Sequence, residues 1–137
     1  LLFNTIVLIK ENKINNTKIK LISQNNNNSS LAPKINKNML LVDWSSNALE
    51  IHNKIRALSY IGVYTYYNDK RVKLYDSYYD DQQVDKSVGS FVYEDKMLYI
   101  ATIKGSLIIK YLKFDGKKMI TAQDFYNNSN EKEKFYS

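Results

Sequence analysis

The residues able to do covalent chemistry are few. His52 is the single histidine of the 137 residues and cysteine is absent. That excludes a thiolate nucleophile, a disulfide framework, cysteine-based zinc or iron–sulfur ligation and a histidine-rich metal site. His52 adjoins Ile51 in a stretch that already has a complete apolar stripe, so a structural role is expected for it. Asp43 and Glu50 are its neighbours in sequence only, and no serine–histidine–aspartate arrangement follows from their spacing. Asp80, Asp81 and Asp85 lack the alternating oxygen-ligand spacing of a calcium loop and read as a solvated turn. Gly62, Gly89, Gly105 and Gly116 are too scattered to form a phosphate-cradling loop.

What remains is basic and aromatic. Lysine and arginine number 20 against 14 acids, a formal charge of +6, and there are 12 tyrosines. Lys34 and Lys37 precede the expected folded part, and Lys70, Arg71 and Lys73 lie on its first hairpin. Lys104 and Lys110 flank a later strand, and Lys117 and Lys118 follow the last turn. Ammonium and guanidinium groups pair with phosphates, and interleaved tyrosines can stack on unpaired bases. The same alternation of Lys and Tyr also marks an ordinary wet strand face.

These residues need elements to position them. Residues 1–9 read as a helix apolar on two sides, which either packs on this chain's own core or closes a preceding domain. The segment is too short to span a bilayer and lacks a basic leader and a cleavage site, so neither a membrane span nor a signal peptide is expected. Residues 11–28 are polar, with 19–22 a short extended piece, and 25–30 reads as a linker. Ala48, Ile51, Ile55 and Leu58 mark one face of a helix over 45–58, with Ser45 as N-cap and Trp44 stapled to Leu49. Lys54 and Arg56 suit its C-terminal dipole.

After Gly62 the period falls to two. Strands are expected at 63–67, 71–75, 89–93, 97–102 and 107–114, with a polar loop over 76–87. Asp115 and Gly116 turn the chain into 119–126, where Thr121 and Asp124 form a capping box for a short helix; beyond Tyr126 the chain is expected to fray. Five short strands after one helix predict a mainly β fold with flanking α, closed as a small barrel that removes its own edges.

Asp43-Trp44-Ser45, the run Glu50-Ile51-His52-Asn53-Lys54-Ile55-Arg56-Ala57-Leu58 and Gly62-Val63-Tyr64-Thr65 resemble the C-terminal domain of methionyl-tRNA formyltransferase. The likeness covers practically the whole chain. Residues 1–9 are similar to the last helix of that family's catalytic domain, and Ala32-Pro33-Lys34-Ile35 to its linker exit. Gly105-Ser106-Leu107, Gly116-Lys117-Lys118-Met119 and Asp124-Phe125 resemble its closing strand and helix. The resemblance implies three regions: a residual helix and polar linker over 1–38, a small open β-barrel resembling the oligonucleotide-binding fold over 39–128, and a frayed tail over 129–137.

The resemblance also implies a function. The family formylates the amino group of initiator methionyl-tRNA with 10-formyltetrahydrofolate, using an Asn, a His and an Asp of an N-terminal catalytic domain whose motifs are not found here; His52 matches the C-terminal helix and is not that histidine. The chain alone is then expected to be inactive, with no catalytic or metal-binding residue and no cofactor of its own. It would be a monomer without membrane contact, partnered by initiator methionyl-tRNA and the missing catalytic domain. Its compartment would be the cytoplasm of a bacterium, or a mitochondrion or plastid. The tRNA-binding set would be Lys34, Lys37, Lys70, Arg71, Lys73, Lys104, Lys110, Lys117 and Lys118. The alternative is a non-catalytic packing or oligomerisation domain of another formyl-handling enzyme. Two departures stand out: Ser59-Tyr60-Ile61-Gly62 replaces the family's Pro-aromatic-Pro-Gly turn, and 80–86 is acidic.

Overall fold

Helix α1 (Leu2–Asn15) opens the computed structural model, which describes residues 2–15, 30–130 and 133–137. The chain divides into two units, 1–34 and 35–137. In the first, α1 runs past the apolar run into polar turns, and Phe3, Ile6, Leu8 and Ile9 are exposed. The extended piece expected at 19–22 lies outside the described residues. Among the described residues no helix is long and apolar enough to cross a membrane.

The second unit starts with a 3-10 turn (Lys37–Leu40) and then α2 (Ala48–Ala57). Ala48, Ile51 and Ile55 are its buried stripe, as their spacing of three and four requires. Its cap is Asn47 rather than the expected Ser45: the Asn47 side chain accepts from the Glu50 amide at 2.8 Å. Ser45 is engaged one turn earlier, where its amide donates to the Asp43 carboxylate at 2.9 Å. The expected staple is also absent. Leu49 is exposed, whereas Trp44 is buried and donates its indole proton to the Thr65 hydroxyl at 2.9 Å. Lys54 does more than answer the helix dipole, for its ammonium donates to the Leu41 carbonyl at 2.5 Å, and burial pushes its pKa down against the pull of Asp43.

Six strands follow: β1 (Tyr64–Tyr67), β2 (Lys70–Asp80), β3 (Phe91–Glu94), β4 (Met97–Ala101), β5 (Ser106–Phe114) and β6 (Met119–Thr121), then α3 (Ala122–Asn127). The sheet order is β1-β2-β5-β4-β3, with β6 on β5, and every strand pair is antiparallel. The expected barrel is not formed. The terminal strands β1 and β3 do not pair with each other, so the protein is a mixed α/β fold on an open six-stranded sheet.

The physical reason lies at the β1 edge. Leu41 bridges Tyr64 in parallel and Tyr136 bridges Tyr66 antiparallel, so backbone from both flanks of the sheet satisfies that edge in place of closure. Two elements were also longer or newer than the period suggested. β2 continues into the expected loop as far as Asp80, with Asp76 at φ 49° and pairing resumed at Ser77 opposite Ile109, and 81–87 remain a loop; β6 leads into the Thr121 capping box, which forms as read.

The expected fray does not describe residues 133–137. Phe135 is 2% exposed, with its ring 5.3 Å from Tyr67, 5.4 Å from Phe125 and 5.6 Å from Phe91. Tyr136 exchanges two backbone hydrogen bonds of 3.0 Å with Tyr66, and the Phe135 amide donates to the Gly89 carbonyl at 2.9 Å. Gly89 has φ +81°, and a Cβ there would collide with the Phe135 carbonyl oxygen, so only glycine permits this approach. Two adjacent aromatics, Phe135 and Tyr136, at the end of a polar run carry no period, which is why the burial of Phe135 escapes a local reading.

Candidate nucleic-acid interface

Strand register decides which basic residues meet. β2 sets Lys73 opposite Tyr64 on one side and Lys113 of β5 on the other, and β5 sets Lys113 opposite Met119 of β6. Tyr75 faces Tyr111, and Tyr66 faces Arg71. This face is turned away from Val72, Leu74 and Leu112, all buried in the core. Lys113 was not among the sequence candidates, although its alternation with the apolar Leu112 and Phe114 marks it as outward. Two lysines directly opposite repel; the pair is relieved because the Lys73 ammonium turns to the Ile61 carbonyl at 2.9 Å.

Arg71 and Lys110 are similarly engaged. The Arg71 Nε donates to Asp115 at 2.6 Å and its guanidinium lies 5.1 Å from the Tyr64 ring centroid; the Asp115 hydrogen bond raises its pKa. The Lys110 ammonium sits 4.6 Å from the Tyr78 ring centroid, 3.2 Å from its hydroxyl and 3.8 Å from Asp76. That contact with Tyr78 raises its pKa. Lys104 serves the fold through its carbonyl, which accepts from the Ala48 amide at 3.0 Å and the Thr102 hydroxyl at 2.8 Å, while its side chain is exposed. Lys37 is exposed at the head of the 3-10 turn, and Lys34, also exposed, ends the first unit.

Lys70, Lys117 and Lys118, distant in sequence, come together. They line a cleft of about 370 Å³ between the β1–β2 turn and the β5–β6 turn, with Asp124 and Asn128 of the α3 region on its third side. Tyr67, Phe114, Ile120 and Phe125 give it an apolar floor. All three lysines are exposed. The Asp124 carboxylate accepts from the Thr121 hydroxyl at 2.8 Å in the helix cap, so three ammonium groups face one carboxylate already engaged in its own helix. Gly116, at φ +72°, makes the turn that carries Lys117 and Lys118.

The remaining candidates fall elsewhere. His52 Nδ1 lies 3.0 Å from the Ser77 hydroxyl and its ring 5.6 Å from Tyr79. This pair fastens α2 to β2. Asp80 accepts from the Gln82 amide at 2.9 Å, closing a local turn, and among the described residues no cluster of histidines and acids could hold a metal ion.

Comparison with known proteins gives this geometry a context. Residues 34–130 match the family described as formyl transferase, C-terminal domain. The methionyl-tRNA formyltransferase of Clostridium novyi is 33% identical over 116 residues, covering 83% of this chain and 38% of that protein. Its counterpart from Fervidobacterium nodosum is 39% identical over 114 residues, 79% of this chain and 37% of that protein. The chain therefore spans well under half the length of these relatives. Among solved structures, HypX from Aquifex aeolicus in complex with tetrahydrofolic acid matches with a TM-score of 0.58 at 20% identity, over 86% of this chain and 21% of that one, a likeness of fold.

Proposed function

We propose, from the premise that this chain belongs to the formyl transferase C-terminal domain family, that it is the part of a methionyl-tRNA formyltransferase that holds initiator methionyl-tRNA by its phosphates. Formyl transfer from 10-formyltetrahydrofolate then belongs to a catalytic domain outside these residues, and this chain alone does not perform it. The observation that carries the reading is the convergence of Lys70, Lys117 and Lys118 on one cleft. Three exposed ammonium groups brought together by two turns favour a polyanion, and phosphate contacts fix orientation without reading sequence. Lys113 on the adjoining strand face and the exposed Lys34, Lys37 and Lys104 extend the contact set. Arg71, Lys73 and Lys110, each tied to an internal partner, contribute charge more than direct contacts. The exposed Phe3, Ile6, Leu8 and Ile9 of α1 suit packing against the catalytic domain.

The test is a salt series with initiator tRNA. Replacing Lys70, Lys117 and Lys118 together by alanine should weaken binding and flatten the slope of log affinity against log salt by about two to three units, since each phosphate contact contributes about 0.7 to 0.9. The melting temperature should hardly move, because all three side chains are exposed. Unchanged affinity and slope in the folded variant would reject the cleft as the contact, and absence of tRNA binding by the parent would leave only the packing role.

A further inference from the structure

We propose that the cleft seats the base of one unpaired RNA nucleotide against the ring of Phe114, with Lys117, Lys118 and Lys70 holding the flanking phosphates. This rests on the tRNA-binding reading and adds to it a place for a base. Phosphate contacts alone need only exposed cations, whereas this site is concave and has an aromatic floor. Phe114 is the outermost ring of a stacked column: Phe135 lies 5.4 Å from Phe125 at 26°, and Phe125 lies 6.3 Å from Phe114 at 25°. The inner rings are buried and Phe114 is half-buried at the cleft.

A cation already lies over that ring: the Lys117 ammonium is 5.9 Å from the Phe114 centroid. An ammonium over a ring marks an electron-rich face that attracts electron-poor partners. A base can take that place while Lys117, on a flexible stem in a glycine turn, moves from ring to phosphate. Stacking on an aromatic side chain tolerates any base but requires one that is not already paired and stacked in a duplex. A free mononucleotide offers the same base and phosphate, so the test must tell the two sources apart.

The probes are a short single-stranded RNA carrying 2-aminopurine, a blunt RNA duplex of equal length, and AMP, titrated onto the 137-residue chain. The parent should bind the single strand more tightly than the duplex and quench 2-aminopurine at saturation. Phe114→Leu, which keeps an apolar contact with Phe125, should weaken single-strand binding about five-fold or more. It should lose the quench, yet keep duplex affinity and the salt slope. Phe114→Tyr should restore both. Unquenched fluorescence in the saturated parent overturns the proposal without any variant, so a Leu variant that melts does not rescue it. An unaffected Leu variant overturns it too, while a flattened salt slope in the lysine variant would leave the phosphate reading standing. AMP binding as tightly as the oligonucleotide would overturn the RNA assignment in favour of a free nucleotide.

Discussion

Tyr67 ties β1 to the residues beyond α3. Its hydroxyl accepts from the Asn130 amide at 3.0 Å and donates to the Asn130 carbonyl at 3.4 Å. Burial above all, and then the hydrogen bond and charge of Glu133, push its pKa above the ordinary tyrosine value. A raised folded pKa means that the neutral phenol favours folding. Its contribution is complete below the unfolded value of about 10 and is lost as pH rises through the folded value. Tyr136, raised by its bond to Asp69, acts in the same direction; Lys54, lowered by desolvation, acts in the opposite one. Urea unfolding of the parent at rising alkaline pH should therefore show stability falling above about pH 10, and Tyr67→Phe should fall less steeply from a lower starting value. Parallel curves would mean that Tyr67 ionises alike in both states. At this scale the sequence read well where a residue acts locally, as in the Thr121 and Asp124 capping box. It read poorly where a cation's partner is distant: nothing near Lys73 in sequence announces the Ile61 carbonyl, and nothing near Arg71 announces Asp115.

Helix α2 shows what a period can and cannot specify. The spacing of Ala48, Ile51 and Ile55 fixes its buried face from sequence alone, but Ser45 and Asn47 are both competent caps. The choice follows from Asp43 drawing the Ser45 amide into an earlier turn. Asn47→Ala should destabilise the protein by about 1 kcal/mol, the usual worth of an N-cap, whereas Ser45→Ala should cost clearly less; thermal melts of the two variants decide, and equal losses would return the cap to Ser45. In the sheet, alternation located five strands even though β1 and the first half of β5 are buried on both faces. It stopped β2 short at Tyr75, since a left-handed residue at Asp76 breaks the period and interrupts the pairing for one residue without shifting the register. Whether the first and last strands join is a matter of long-range pairing that no local alternation contains, and there the expected barrel gave way to an open sheet.

For the whole molecule, the open sheet is completed by residues 133–137, of which Phe135 enters the core. Phe135 fills the space among Trp44, Tyr67, Phe91 and Phe125, its ring 5.9 Å from Trp44, and the Ser137 hydroxyl donates to the Val42 carbonyl at 2.7 Å. Phe135→Ala should cost about 3–5 kcal/mol, a large share of the roughly 5–15 kcal/mol by which domains are stable. Circular dichroism should show a strongly lowered melting temperature; a melt within error of the parent would make this segment an ornament of the fold. The cleft belongs to the same scale. The individual lysines were legible in the sequence as a basic set, but the meeting of Lys70 with Lys117 and Lys118 comes from β1–β2 and β5–β6 turns brought side by side through the β2–β5 pairing.

The late arrival of Phe135 also orders events on the ribosome. The Thr65 hydroxyl finds the Tyr136 carbonyl across 71 positions of chain, so every strand of the sheet is synthesised before the segment that covers the β1 edge. Until then the aromatic socket lacks its Phe135 ring and the outer edge of β1 lacks its Tyr136 bridge, the combination that invites wrong partners. The socket among Trp44, Tyr67, Phe91 and Phe125 therefore closes only after Phe135 has been made.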